Sequence, residues 1–251
     1  MRFCRFSHNG HIQWGLLVGE NLRPLSTPPF IETKFNGESI PLKEVKLLAP
    51  AEPSKIVCLG LNYADHAREF KLEVPDEPII FIKPPTTVIG PHEEIILPRA
   101  SKRVDYEAEL AIIIGKEAYN IKEEKAFEYI FGYTCANDVT ARDLQKKDGQ
   151  WTRSKSFNTF CPLGPWIETD LDPSNLSIKL LLNGEVKQQS STANLIFKIP
   201  SIVAFISSVM TLLPGDVILT GTPSGVGPIK PGDVVEVEIE GIGTLKNVVK
   251  E

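Results

Sequence analysis

The stretch RVDYEAELAIIIG, residues 103–115, constrains the fold more than any other. Its β-branched run, closed by Gly115, predicts one strand through VDYEAELAIII. Most of the later positions are apolar whichever way they point, as in a strand buried on both faces. The first half differs. Side chains alternate along a strand, so Asp105, Glu107 and Glu109 share one face. Two like charges about 7 Å apart, at an effective dielectric of about 20, repel by roughly 2–3 kcal/mol. Such a ladder reads either as a solvated sheet face or as an acidic cluster built around a cation. The apolar continuation favours the cluster, as does a further acid, Asp138, in the strand-ending turn of YTCANDVTARD. Carboxylates converging from two strands need a positive charge between them. An all-oxygen set without His or Cys selects Mg²⁺, Mn²⁺ or Ca²⁺. Periodicity puts Glu107 beside Glu109; it does not say where Asp138 faces.

The remaining segments also read mainly as strands. RFCRFSH and HIQWGLLV, separated by Asn9-Gly10, form a hairpin signal. With LLAPAEPSK as a linker, this divides the 251 residues into a small β domain, 1–50, and a main domain, 51–251. KIVCLG, PIIFIKP and EIILP are strands, and SIKLLLNGEVKQQS is a hairpin turning at Asn183-Gly184. Helices are few: a short polar one in LNYADHAREF, one in NIKEEKAFEYIFG that runs into a strand, one after NDVT, and an apolar one behind Pro200. Without regular βαβ alternation the class is α+β, mainly β.

Composition excludes several functions. A net charge of −5 argues against a nucleic-acid surface. Cys4, Cys58, Cys135 and Cys161 show no CxxC spacing, which points to reduced thiols in a cytoplasmic protein. MRFCRFSHNG has no apolar signal region, and no apolar run approaches about 18 residues, so neither secretion nor a membrane is expected. LTGTPSGVG lacks GK[ST] and reads as a tight glycine connection rather than a phosphate loop. His8, His11 and His92 read as surface residues, Lys146 as solvated, and Trp14, Trp151 and Trp166 as packing.

Four motifs occur in order: GxNYxDHxxE from Gly60, ExE at Glu107 and Glu109, NDxTARDxQ from Asn137, and GTPxGVG from Gly221. Together they resemble the fumarylacetoacetate hydrolase family over roughly 55–251. The resemblance implies a mixed β-sandwich roll, a small N-terminal unit and a homodimer. It implies a divalent ion, Mg²⁺ or Mn²⁺ with Ca²⁺ as a further option, on Glu107, Glu109 and Asp138. Asp105 is then left to support the site or to pair with a base such as Arg103. On residues alone, His66 and Glu69 are a surface pair three apart on a helix. The resemblance makes them the dyad that activates water, on a lid that orders over substrate. It also implies that Arg142 braces a metal carboxylate or meets substrate and that Gln145 holds the reacting oxygen. Lys155 would bond the substrate carboxylate or enol oxygen, Thr222 would meet a substrate carboxylate, and Lys83 would form a further basic wall.

These residues suit a 2-oxo or 2-enol acid, a dicarboxylate or an acylpyruvate, held through its C1 carboxylate and C2 oxygen. With water delivered by His66 the outcome is C–C hydrolysis of an acylpyruvate, the expectation placed first. Leu61 stands where a basic residue is expected in mitochondrial acylpyruvate hydrolases, as in the branch named for 2-hydroxyhepta-2,4-diene-1,7-dioate isomerase. Tautomerisation or decarboxylation of oxaloacetate, or isomerisation of the dienedioate, is therefore the alternative. An idle metal-binding structural protein is the alternative of another class.

Overall fold

The computed structural model describes residues 1–65 and 75–251. The first fifty hold β1 (Arg2–His8), β2 (His11–Val18), β3 (Asn21–Leu25), β4 (Ile40–Pro41) and β5 (Lys46–Leu48). Asn9 and Gly10 both take positive φ, the turn the hairpin needs. Next come β6 (Ile56–Gly60), β7 (Ile79–Lys83), β8 (Val88–Ile89), β9 (Glu94–Ile96), β10 (Val104–Tyr106) and β11 (Ala108–Ile114). Then follow β12 (Ile130–Asn137), β13 (Thr140–Ala141), α1 (Arg142–Asp148), α2 (Thr152–Lys155) and β14 (Cys161–Glu168). The chain closes with β15 (Ser177–Leu182), β16 (Glu185–Ser191), α3 (Ile199–Val209), β17 (Val217–Leu219), β18 (Gly227–Pro228), β19 (Val234–Ile239) and β20 (Gly243–Lys250).

The fold is mainly β. The largest sheet runs β4-β3-β2-β1-β14-β12-β11-β17-β6-β7, and β16-β15-β19-β20-β9 form a second. Pairing is mixed, with β17–β6, β14–β8 and β20–β9 parallel among antiparallel neighbours. β1 pairs with β14, so the large sheet passes without a break from residues 1–50 into the rest, while Cys4, Phe6 and Leu22 form a small cluster of their own. Residues 123–128 form a 3₁₀ turn, not the α-helix expected before β12. Among the described residues no helix is long and apolar enough to cross a membrane.

β11 explains the apolar run. Leu110, Ile112 and Ile114 enter one core with β15, β19 and α3, while Ala111 and Ile113 enter another with Phe3, Ile56, Cys161 and Leu219. Both faces are buried because each faces a different core. Period two then carries the Ala111–Ile113 face back to Glu109 and Glu107.

The single strand expected through VDYEAELAIII is broken at Glu107. β10 pairs with β13 and β18, and β11 with β12 and β17. Side chains replace ladder partners at the break: the Glu107 N–H donates to Asn137 Oδ1 at 2.9 Å and the Ala108 N–H to Gln188 Oε1 at 2.9 Å.

Candidate metal centre

Glu107 sits at the break, Glu109 one pleat into β11, and Asp138 immediately after β12. The β11–β12 register, with Ala108 opposite Asn137, brings the turn beside the acids. One carboxylate oxygen from each of Glu107, Glu109 and Asp138 lies within 4.8 Å of the others, and all three residues are buried. Spacing along the sequence could not supply that convergence.

The cluster is partly neutralised by the chain. Lys155 donates to Glu107 Oε2 at 2.9 Å and to Asp138 Oδ2 at 2.6 Å. Arg142 donates through Nε to Asp105 Oδ2 at 2.9 Å, through Nη2 to Glu107 Oε1, and through Nη1 to Gln145 Oε1 at 2.7 Å. Arg103 closes on Asp105 from the other side, at 2.9 Å. Asp105 thus holds two arginines, one of which fixes Glu107.

Two neighbouring glutamates end with opposite acidities. Burial alone would raise both. For Glu107 this is outweighed by the charges of Lys155 and Arg142, and its carboxyl is lowered to about 2. For Glu109 burial is reinforced by Asp138 and Glu107, and its carboxyl is pushed well above the usual carboxylate range. Its partner is the Gly221 N–H, at 2.6 Å. Burial would also lower Lys155, but Asp138 and Glu107 hold its ammonium firmly charged. Among the described residues no cationic side chain pairs with Glu109. A buried carboxylate left short of positive charge, in an all-oxygen set, fits a hard divalent cation.

A cavity of 310 Å³ opens beside the cluster. Glu107, Glu109, Arg142, Gln145, Lys155 and Thr222 supply its polar lining. Leu59, Gly60, Leu61, Phe81 and Trp151 supply the apolar part, and exposed Lys146 also borders it. Trp151 is therefore more than packing: it meets Phe81 edge-on, with ring centroids 5.2 Å apart, and covers Gly60. Leu61 takes φ of 41°, left-handed for a branched side chain.

Lys83 corrects an expectation. It is not a wall for substrate: it is fully buried and donates to Asp138, to the Phe160 carbonyl at 2.7 Å and to the Val139 carbonyl at 3.3 Å. All three ammonium protons are used inside the protein. His66 and Glu69 lie outside the described residues. The chain leading to them is anchored at Asp65, whose carboxylate accepts from Ser190 Oγ at 3.0 Å and Ser224 Oγ at 3.4 Å.

Gln188 and Asn137 were missed as site residues. Asn137 opens the NDxTARDxQ motif, whereas a bulge hides Gln188 from simple strand pairing. Simple pairing from the Asn183-Gly184 turn would set Lys187 opposite Leu180. The register shifts between Leu180 and Leu181 and places Gln188 there instead, facing inward.

Residues 55–250 match the family model described as "Fumarylacetoacetate (FAA) hydrolase C-terminal", and residues 1–50 match "Rv2993c-like, N-terminal". The chain is 46% identical to oxaloacetate tautomerase Fahd2a, mitochondrial, of Rattus norvegicus, covering 84% of this chain and 71% of that protein. The crystal structure of 5-carboxymethyl-2-hydroxymuconate delta-isomerase from Mycobacterium smegmatis superposes with a TM-score of 0.95 at 47% identity, over 100% of this chain and 99% of that one. Maleylpyruvate hydrolase from Sphingobium sp. SYK-6, in complex with manganese (II) ion and pyruvate, superposes with a TM-score of 0.83 at 32% identity, over 100% and 99%.

Proposed function

Because this chain belongs to the fumarylacetoacetate hydrolase family, we propose that it is a divalent-metal-dependent enzyme acting on 2-oxo and 2-enol acids. We place first the movement of a proton between carbon and oxygen of a 2-oxo dicarboxylate such as oxaloacetate. The convergence of Glu107, Glu109 and Asp138 on one small cavity is the observation that carries the reading. Relatives named for a tautomerase and an isomerase, at 46% and 47% identity, favour proton transfer over hydrolysis, for which structures named as hydrolases stand at 37% and 32%.

Glu107, Glu109 and Asp138 would hold Mg²⁺ or Mn²⁺, which when bound polarises the 2-oxo group and stabilises the enolate as a Lewis acid. Lys155, buried and charged, offers an ammonium where negative charge develops on the enol oxygen. Arg142 fixes Glu107 and, by donating to the Gln145 carbonyl, leaves the Gln145 amide N–H groups to meet a ligand. The apolar lining of Leu59, Leu61, Phe81 and Trp151 keeps water scarce, which strengthens these interactions. In this reading His66 carries the proton to and from carbon, with Glu69 supporting its basicity.

Hydrolytic cleavage of an acylpyruvate is the second reading, favoured by the His66–Glu69 pair and the maleylpyruvate hydrolase likeness. The test incubates purified protein with Mg²⁺ or Mn²⁺ and follows oxaloacetate keto–enol conversion by ultraviolet absorbance, with pyruvate and CO₂ assayed in parallel. Proton transfer gives faster conversion than buffer, without pyruvate. Pyruvate from an acylpyruvate, lost in His66→Ala, supports hydrolysis instead. No turnover of any 2-oxo acid leaves an idle metal-binding protein.

A further inference from the structure

Gln188, on β16, is buried at 1% exposure, and its amide accepts one hydrogen bond and donates two. Its Oε1 accepts from the backbone N–H of Ala108, the residue between Glu107 and Glu109, at 2.9 Å. Its Nε2 donates to Thr222 Oγ1 at 2.9 Å and to the Pro223 carbonyl at 2.8 Å. The two backbone partners fix which end of the amide is which, since a peptide N–H can only donate and a carbonyl can only accept. The third bond then has a definite direction. Thr222 Oγ1 is the acceptor, and its own proton remains to be given elsewhere. Among the described residues no acceptor is paired with that hydroxyl. Thr222 lines the same cavity as Glu109 and Lys155.

We propose that Gln188 is a positioning residue that sets the Thr222 hydroxyl as a hydrogen-bond donor into the cavity, for an anionic oxygen of the 2-oxo acid. This rests on the reading of the site given under Proposed function. A hydroxyl free to rotate presents lone pairs as readily as its proton, and lone pairs repel a carboxylate. By occupying one lone pair, the amide directs the proton toward the ligand. The same side chain holds the peptide between Glu107 and Glu109, so the second sheet sets both the spacing of the acids and the polarity of the hydroxyl.

The test is a double-mutant cycle on the full chain, with Mn²⁺ as metal, oxalate as probe, and KM and kcat for oxaloacetate. Gln188→Glu keeps the size and the acceptor for Ala108 but, ionised, takes the Thr222 proton for itself. Gln188→Glu and Thr222→Val should each weaken oxalate binding and raise KM by about tenfold, the loss falling on KM more than on kcat. The double variant should be no weaker than either single one, and Thr222→Ser should recover the binding that valine loses. Losses that multiply in the double variant overturn the proposal. So does a matching loss of Mn²⁺ affinity in Gln188→Glu, because the glutamine would then act through the acids. If Gln188→Glu does not fold, unchanged oxalate binding by Thr222→Val is enough to refute it. Wild-type protein that takes up Mn²⁺ yet neither binds oxalate nor turns over a 2-oxo acid removes the functional reading and the proposal together. Multiplying losses in an active enzyme remove the proposal alone.

Discussion

Lys83 and Asp138 form an ion pair closed to solvent on both sides, the lysine 0% and the aspartate 1% exposed. The lysine sits behind the acid cluster rather than in the cavity. Its work is to make a buried aspartate tolerable.

Removing that ammonium leaves two buried carbonyls without this donor and Asp138 with Lys155 alone. Lys83→Met is expected to destabilise the metal-free protein by about 3–5 kcal/mol, read from urea denaturation. A loss under about 1 kcal/mol would mean that Lys155 alone suffices for Asp138.

In the proposed metal site, Glu109 would tie ion binding to pH. Its carboxyl is raised in the folded protein, so its stabilising contribution is present below the ordinary glutamate range and is lost as pH rises toward the folded value. Glu107, held down to about 2, works the other way: its contribution is present above the ordinary range and is lost as pH falls toward 2. Binding of a divalent ion to the carboxylate competes with its protonation. Mn²⁺ binding should release a proton and tighten with rising pH. Calorimetry in buffers of different ionisation heat measures the release, and Glu109→Gln should abolish it.

Arg142 holds Glu107 and Gln145 in place while Asp105 holds Arg142. Arg142→Gln should weaken Mn²⁺ binding by about 10- to 100-fold. Asp105→Asn should give a smaller loss in the same direction. Titration of Mn²⁺ by electron paramagnetic resonance compares the two, and equal affinity in all three proteins would rule out the bracing role.

Gly60 carries the Trp151 ring so closely that an added Cβ would lie 2.5 Å from it. The colliding atoms are the far edge of a side chain, which can move where backbone cannot. Gly60→Ala should therefore shift the apolar lining and raise KM several-fold, with folding largely preserved. Trp151→Phe in the same chain should restore part of the affinity; a lower melting temperature with unchanged KM would place the effect in stability instead.

Much of the fold was legible because it follows from local chemistry. The two Asn-Gly hairpins and Pro200 opening α3 are each set by one or two residues. The acids of β11 were legible through period two. The break at Glu107 was not, because Asn137 and Gln188 come from distant segments to take the N–H groups of Glu107 and Ala108. Lys83 and Lys155 looked alike in sequence. Only packing tells the lysine that faces two carbonyls from the one that reaches Glu107 and the cavity.

Lys83, Lys155 and Arg142 surround Glu107 and Asp138. The chain thus brings its own counter-charges to two of the three acids, and much of their mutual repulsion is met within the fold itself. On the metal dependence proposed above, withdrawing the ion would cost this protein its activity before its fold.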